Sequence, residues 1–198
     1  MPFMMSSNAL RQVLMTQFHE LHPGLEEIMT RFINAFSAPI SLAKNHEIIV
    51  RDDASTNLYF IIEGCVYELS ERDGGPPSIP QAYTSNDFVF NHHRFTTGRP
   101  AETRYIVSRP STVICLDQLT LEEFHKEAHF DELFFVVCQI MLKNTREHFI
   151  HLLHQKPLDH YTWLLAHSPE LCSSLTRNHM AAYLGISRAT FFRILEKL

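Results

Sequence analysis

Leu175-Thr176-Arg177-Asn178-His179-Met180-Ala181-Ala182-Tyr183-Leu184-Gly185-Ile186-Ser187-Arg188-Ala189-Thr190-Phe191-Phe192-Arg193-Ile194-Leu195-Glu196-Lys197-Leu198 reads as two short helices and a tight turn. Thr176 is placed to cap the first helix, because its hydroxyl accepts from backbone N–H groups that the first turn leaves orphaned. Met180 and Leu184 recur at helical spacing and give that helix one apolar side. Ala181 is small where a second helix must cross closely. Gly185 suits a left-handed helix end, where a side chain would be strained. Ile186 points the turn into the core, and Ser187 is placed to cap the second helix. Phe191, Ile194, Leu195 and Leu198 face inward, which leaves Arg188 and Arg193 outward. This order predicts a helix-turn-helix, whose second helix is shaped to enter a DNA major groove. The bland alternative is an ordinary helical hairpin. The succession of cap, small residue, Gly turn, cap and Arg argues against it.

The chain outside this stretch limits what it can do. At 198 residues it is long enough for one large domain or two small ones. Its net charge of −5 excludes a basic, charge-driven nucleic-acid binder. From Pro157 onward, however, four Lys/Arg (Arg177, Arg188, Arg193, Lys197) face three Asp/Glu (Asp159, Glu170, Glu196). The end is weakly positive on an acidic body, a modest footprint for phosphate contact. One copy should bind poorly and two should be needed. Cys65, Cys115, Cys138 and Cys172 are far apart, with no metal-ligand spacing and no secretion signal before them. They read as reduced cytoplasmic thiols. No apolar run is long and charge-free enough to span a membrane.

Up to Ser37 two helices are expected, with apolar stripes at Leu10, Val13, Leu14, Phe18 and Leu21 and at Leu25, Ile28, Met29, Phe32 and Phe36. Short β-branched and aromatic runs follow: Glu47–Val50, Leu58–Ile62, Cys65–Ser70, Ser78–Tyr83, Phe88–Phe90, Arg104–Val107 and Thr112–Leu116. A bend is expected at Glu63-Gly64 and a loop at Asp73–Pro77. Many short antiparallel strands predict a sandwich or jelly roll. Thr120 with Glu123 resembles a capping box. A long helix then runs from near Phe130 to His154, ended by Pro157. It is apolar on more than one side, so it should pack on the β-domain and, through Leu133, Val137, Ile140 and Met141, on a second copy. A purely intramolecular core helix is the competing reading. A short helix is expected over Leu158–His167 and a loop over Ser168–Ser174.

A β-roll, a long helix and a C-terminal helix-turn-helix, in that order, resemble the Crp/Fnr family of bacterial transcription regulators. The clearest match is Leu184-Gly185-Ile186-Ser187-Arg188-Ala189-Thr190-Phe191-Phe192-Arg193, which is similar to that family's recognition segment. Leu58-Tyr59-Phe60-Ile61-Ile62-Glu63-Gly64-Cys65-Val66 is similar to the strand–Gly–strand of cyclic-nucleotide-binding folds. The resemblance implies an α+β chain in three parts: a cyclic-nucleotide-binding-like jelly roll with N-terminal helices (1–118), connecting and dimerisation helices (119–156) and a helix-turn-helix domain (157–198). It implies a cytoplasmic homodimer on a two-fold DNA operator, with RNA polymerase as a further partner. The DNA-contacting set it implies is Thr176, Arg177, Ser187, Arg188, Ala189, Thr190, Phe192, Arg193 and Lys197. Ala189 stands where the family often has Glu, so a different operator is expected, because that Glu would accept from cytosine N4. Phe192 is unusual at a position that is usually small. The stretch reaches Leu198 without the β-hairpin wing many relatives carry, which implies more reliance on the dimer.

The β-roll departs from the family where cyclic AMP would bind. Phe90-Asn91 stands in place of the Gly-Glu that holds the ribose, and Ala101-Glu102 near the Arg-Ser that holds the phosphate. Arg99 and Arg104 are the nearest cations, so Phe90, Asn91, Arg99, Glu102 and Arg104 are the candidate ligand pocket, fitting a small anion if anything. The N-terminal cysteines that an iron–sulfur sensor needs are missing. Haem, suggested by Pro2 and His92-His93, is the weaker alternative, and no cofactor or metal is expected. The rival readings are a cupin-like metal enzyme and an interaction module that has lost DNA binding. The first needs two His and an acid converging in the barrel. His92 and His93, adjacent on a strand, would point to opposite faces. No nucleophile or carboxylate pair points to an enzyme.

Overall fold

The structure, a computed structural model, describes residues 2–18, 23–71 and 75–198. Helices α1 (Pro2–Met15) and α2 (Pro23–Ala35) form where the apolar stripes lie. Leu10 and Leu14 of the first and Leu25, Met29 and Phe32 of the second are fully buried. Leu21 of the expected stripe, and Asp73 and Gly74 of the expected loop, fall outside the described residues.

The sheet is built on two long strands. They are β3 (Leu58–Ser70) and β6 (Arg104–Leu116), paired antiparallel from Leu58 opposite Leu116 to Leu69 opposite Arg104. Each was expected as two short strands. Both are continuous because the interruption is absorbed as a bulge, with register shifts between Ile61 and Val66. Gly64 makes this bulge feasible. Its φ is +124°, and a Cβ there would sit 2.0 Å from Ser111 Oγ and 2.7 Å from Ser111 Cα. The Ser111 hydroxyl closes the gap by accepting from the Cys65 N–H at 3.1 Å and donating to the Arg109 carbonyl at 2.8 Å. Such a bulge bends and twists a strand pair, which curls the sheet into a roll. Strands β1 (Ile40–Leu42) and β2 (Glu47–Ile49) pair with β6, and β4 (Ser78–Thr84) and β5 (Phe88–Val89) with β3.

Three local expectations are corrected. His92 and His93 open a helix, α3 (His92–Thr97), instead of standing on a strand, because Asn91 caps it: its side chain accepts from the Arg94 N–H at 3.1 Å. In α4 (Gln118–Phe124) the cap is Asp117, which accepts from the Thr120 N–H and hydroxyl at 3.0 and 2.8 Å, so Thr120 lies inside the helix. The segment expected as a loop before the helix-turn-helix is α7 (Pro169–Ser174). Pro169 presets its first φ, and the hydroxyls of Ser173 and Ser174 donate back to the Glu170 carbonyl.

Helix α5 (Phe130–His154) is the spine, 25 residues long, or about 37 Å at the α-helical rise. The inner core joins α1, α2, the concave face of the sheet, α4 and the first half of α5. Leu133 and Val137 are fully buried there, Met141 nearly so, and Ile140 packs against its margin. The residues expected to meet a second copy therefore face this protomer's own sheet. That row closes one continuous core with α2 and the roll. The outward apolar side is a different row: Phe135, Leu142 and Phe149, with Ile150 and Leu153. Helices α6 (Pro157–His167), α8 (Arg177–Tyr183) and α9 (Arg188–Leu195) follow. They share a second core with the outer face of the sheet: Cys65, Tyr67, Ile79 and Ile106 meet Leu164, Leu171, Met180 and Leu184. The segment from 157 onward is thus seated on the roll.

Candidate nucleic-acid interface

Each cap expected in the C-terminal stretch is present. Thr176 Oγ1 accepts from the His179 N–H at 3.2 Å and starts α8. Helix α8 ends in a double hydrogen bond, Ile186 N–H to the Ala181 carbonyl at 3.0 Å and Gly185 N–H to the Ala182 carbonyl at 3.3 Å. That is the Schellman geometry, and it requires the left-handed φ of +65° that Gly185 supplies. Ser187 Oγ accepts from the Thr190 N–H at 3.1 Å and lies 2.9 Å from Thr190 Oγ1, starting α9. Phe191 is fully buried edge-on against Tyr161, with ring centres 5.0 Å apart, and Ile194 is buried beside it. Burying those two side chains, each worth about 1.5–3 kcal/mol, fixes the rotation of α9. Arg188, Ala189, Arg193 and Lys197 consequently face solvent. Arg193 Nε leans back to the Ala189 carbonyl at 3.4 Å.

Phe192, unusual in the sequence, has a geometric role. The guanidinium carbons of Arg177, from α8, and Arg188, from α9, lie 5.5 and 5.3 Å from its ring centre. One aromatic ring holds a cation from each helix of the motif, and cation–π attraction restrains both side chains. Nothing in the sequence pattern gave this pairing. The i, i+4 spacing of Arg188 and Phe192 was its only visible trace.

Two contacts that sequence reading missed seat the motif on the sheet. Glu170 Oε1, on α7, accepts from Arg109 Nη2 of β6 and from Ser85 Oγ, both at 2.7 Å. The Tyr67 ring of β3 packs 4.5 Å from that of His179 on α8. Burial, with Lys44 nearby, lowers the His179 pKa and keeps that ring neutral. The elbow also faces the β3–β4 connection. A groove of about 580 Å³ runs between Pro76-Pro77-Ser78 and Asn178, Ala181, Ala182 and Gly185–Arg188.

The five residues expected to form a ligand pocket are not brought together. Asn91 is buried as the α3 cap and donates to the Asp53 carbonyl at 3.0 Å. Arg104 is paired with Glu47 and Glu71 at 2.8 and 2.9 Å. Arg99 and Glu102 are exposed, the latter 3.5 Å from His93 Nε2. Only Phe90 lines the groove between the roll and α5, a space of about 440 Å³ walled by Glu68, Pro80, Tyr83, Phe95, Cys138, Met141 and Leu142. Among the described residues no Arg or Lys lines it. Burial raises the pKa of Glu68, against the hydrogen bond it accepts from Thr103 at 2.7 Å. Among the described residues no three His, Cys, Asp or Glu are arranged to hold a metal ion, and no helix is long and apolar enough to cross a membrane.

No family model and no curated protein matches the chain. Solved structures do. The c-di-GMP-responsive global regulator CLP of Xanthomonas campestris is 16% identical, over 87% of this chain and 90% of its own, with a TM-score of 0.65. FixK2 of Bradyrhizobium japonicum is 18% identical, over 82% and 84%, at 0.66. A putative Crp/Fnr-family regulator from Eubacterium rectale is 11% identical, over 92% and 87%, at 0.63. The chain has the fold of the Crp/Fnr transcriptional regulators: a cyclic-nucleotide-binding-type roll, a long helix and a C-terminal helix-turn-helix.

Proposed function

We propose that this chain is a sequence-specific DNA-binding transcription regulator that acts as a homodimer and is not controlled by cyclic AMP. The observation that carries the reading is α9 itself. It is capped at its start and anchored by Phe191 and Ile194. It presents Arg188, Ala189 and Arg193 to solvent on a face that contributes nothing to the core, with Lys197 exposed just beyond its end. Arg188 is placed to pair with guanine O6 and N7, and Ala189 and Thr190 to touch a thymine methyl. Arg177, Arg193, Lys197 and the Ser187 hydroxyl are suited to phosphates, which position the reader without reading sequence.

The outward row of α5 supports the dimer. Phe135, Leu142 and Phe149 are spaced by seven and are 58–65% exposed in the protomer. Apolar residues at heptad spacing form a seam along which a second copy of the same helix packs. Independence from cyclic AMP is supported by the groove under α5, whose lining among the described residues offers a phosphate no cation. The test is selection of bound duplexes from a random pool. Wild-type protein is expected to enrich an inverted repeat. Arg188→Ala is expected to relax one base pair per half-site, at about 1–3 kcal/mol. Enrichment of no sequence by the wild type, or unchanged selectivity in the variant, would overturn the reading. Cyclic AMP at millimolar concentration is expected to leave the affinity unchanged.

A further inference from the structure

The chain passes from α5 to the DNA-reading unit round a sharp corner. Gln155 and Lys156 are extended (φ −114°, ψ 151° and φ −68°, ψ 147°), and Pro157 opens α6. Three imidazoles stand at this corner. His148 and His151 lie one turn apart on α5, and His160 on α6 packs with ring centres 5.3 Å from the first and 5.2 Å from the second. Tyr183 of α8 stacks on His148 at 3.8 Å. Trp163, the one tryptophan of the chain, packs on His151 at 4.0 Å and on His167 at 4.8 Å. His148 and His160 are 5% and 1% exposed.

These rings are packed but not satisfied. Both nitrogens of His148, Nδ1 of His151 and Nε2 of His160 are buried with no hydrogen-bond partner among the described residues. The charged and titratable groups that face the cluster can be named by element. On α5 they are Glu147 and His151, on α6 His160 and on α8 Tyr183. Across a cavity of about 210 Å³ that His148 lines stands Asp87, at the β4–β5 turn. Neither acid accepts from His148. A proton added here would create an imidazolium without an acceptor, beside two further imidazoles and away from water, which is unfavourable on every count.

We propose that the corner where His148 meets His160 is a proton-operated latch, clamping the helix-turn-helix unit to α5 and the sheet while these two rings are neutral and releasing it when they are charged. The direction follows from where the protons bind. Burial first, then the neighbouring histidines, hold the docked His148 down to about 3, and burial then His151 hold His160 down to about 4. Once α6 swings away, water reaches the rings and they return to the ordinary value near 6.5. The clamp is therefore at full strength above pH 6.5 and weakens as pH falls through that value toward 3–4. At pH 5 each ring shifts the equilibrium toward release by about 30-fold, and the two together by at most about 1000-fold. The consequence for DNA rests on the function proposed above. The latch is tested without DNA, so the two fail separately.

The experiment is hydrogen exchange on the full chain from pH 8 to 5, corrected for intrinsic rates, with Trp163 emission recorded in parallel. The expected result is loss of protection in α6–α9 below pH 6.5, a concurrent change in emission, and retained protection in β3 and β6. His148→Gln combined with His160→Gln removes the pH response. If that pair does not fold, His160→Leu alone is expected to halve the number of protons taken up on release. Unchanged protection of α6–α9 down to pH 5, loss of the sheet at the same pH, or variants that follow the wild-type curve would each overturn the latch.

Discussion

Replacing Phe192 with Leu isolates what the ring does for the reader. Leucine keeps an apolar side chain on the half-buried surface but removes the aromatic face over which Arg177 and Arg188 sit at 5.5 and 5.3 Å. An exposed cation–π contact is worth about 0.5–1 kcal/mol. Both arginines lose one, so the free protein loses about 1–2 kcal/mol of preorganisation in Arg177 and Arg188 together. If DNA binding uses that preorganisation, the dissociation constant should rise by about 5–30-fold per reader. Stability should barely move, because Phe191 and Ile194, not Phe192, anchor α9 in the core. The assay is fluorescence anisotropy on the selected operator and on a scrambled duplex, at one fixed salt concentration because phosphate contacts are salt-dependent. Phe192→Tyr, which keeps the face, should restore most of the loss. Wild-type affinity in Phe192→Leu, measured beside an Arg188→Ala that does weaken binding, would refute the reasoning. A change confined to discrimination at one A·T pair would instead assign Phe192 to a thymine methyl.

Three further outcomes test the frame around the reader. Gly64→Ala forces a side chain onto Ser111 at a φ of +124° and should cost about 2–6 kcal/mol, whereas Gly98→Ala, at φ +72° with nothing within 4 Å, should cost about 1 kcal/mol. Equal losses in urea unfolding would mean the close approach to Ser111 is not what fixes the bulge. Phe149→Glu should convert the protein to monomers in sedimentation at micromolar concentration and reduce operator affinity by about 100-fold or more, because a charge replaces the last of the three heptad positions. A dimer that persists would move the two-fold contact off α5. Thr176→Ala and Ser187→Ala should each cost about 1 kcal/mol of unfolding free energy, and circular dichroism melts that coincide with wild type would deny the caps their role.

What the sequence made legible is what local chemistry encodes. The caps at Thr176 and Ser187 and the left-handed turn at Gly185 are decided within a few residues, and all three formed as read. The order of roll, spine and helix-turn-helix followed from the periods of the apolar pattern. The strands were harder. A bulge at Gly64 looks in sequence like the end of one strand and the start of another, because continuity depends on Ser111, 47 positions away. The ligand pocket was misjudged for a related reason. Arg104 lies close in sequence to Arg99, but its guanidinium is claimed by Glu47 and Glu71, which only the folded sheet brings near. Asn91 looked like a ligand residue and is a cap. Glu170 carried no local signal at all, since both of its partners come from the roll.

Helix α5 shows most clearly where pattern alone runs out. A helix apolar on several sides states that it will be buried more than once, but not which side meets which partner. Leu133, Val137 and Met141 repeat at spacings of four, matching the 3.6-residue period that keeps a straight helix against a fixed surface, here the roll. Phe135, Leu142 and Phe149 repeat at seven, the spacing that stays in register between two helices supercoiled on each other. The two rows differ in period as well as in direction, so one helix can serve the roll and the proposed second copy without conflict. The outer row continues to Leu153, and the corner at Gln155 follows at once. Leu152, one residue before Leu153, is the nearest side chain to the space a Cβ on Gly185 would fill, 4.0 Å away. The end of the pairing helix therefore lies beneath the elbow of the reader. In the dimer proposed above, a change in how two copies of α5 cross would reach the elbow at Gly185 through Leu152 and the corner through His148 and His151.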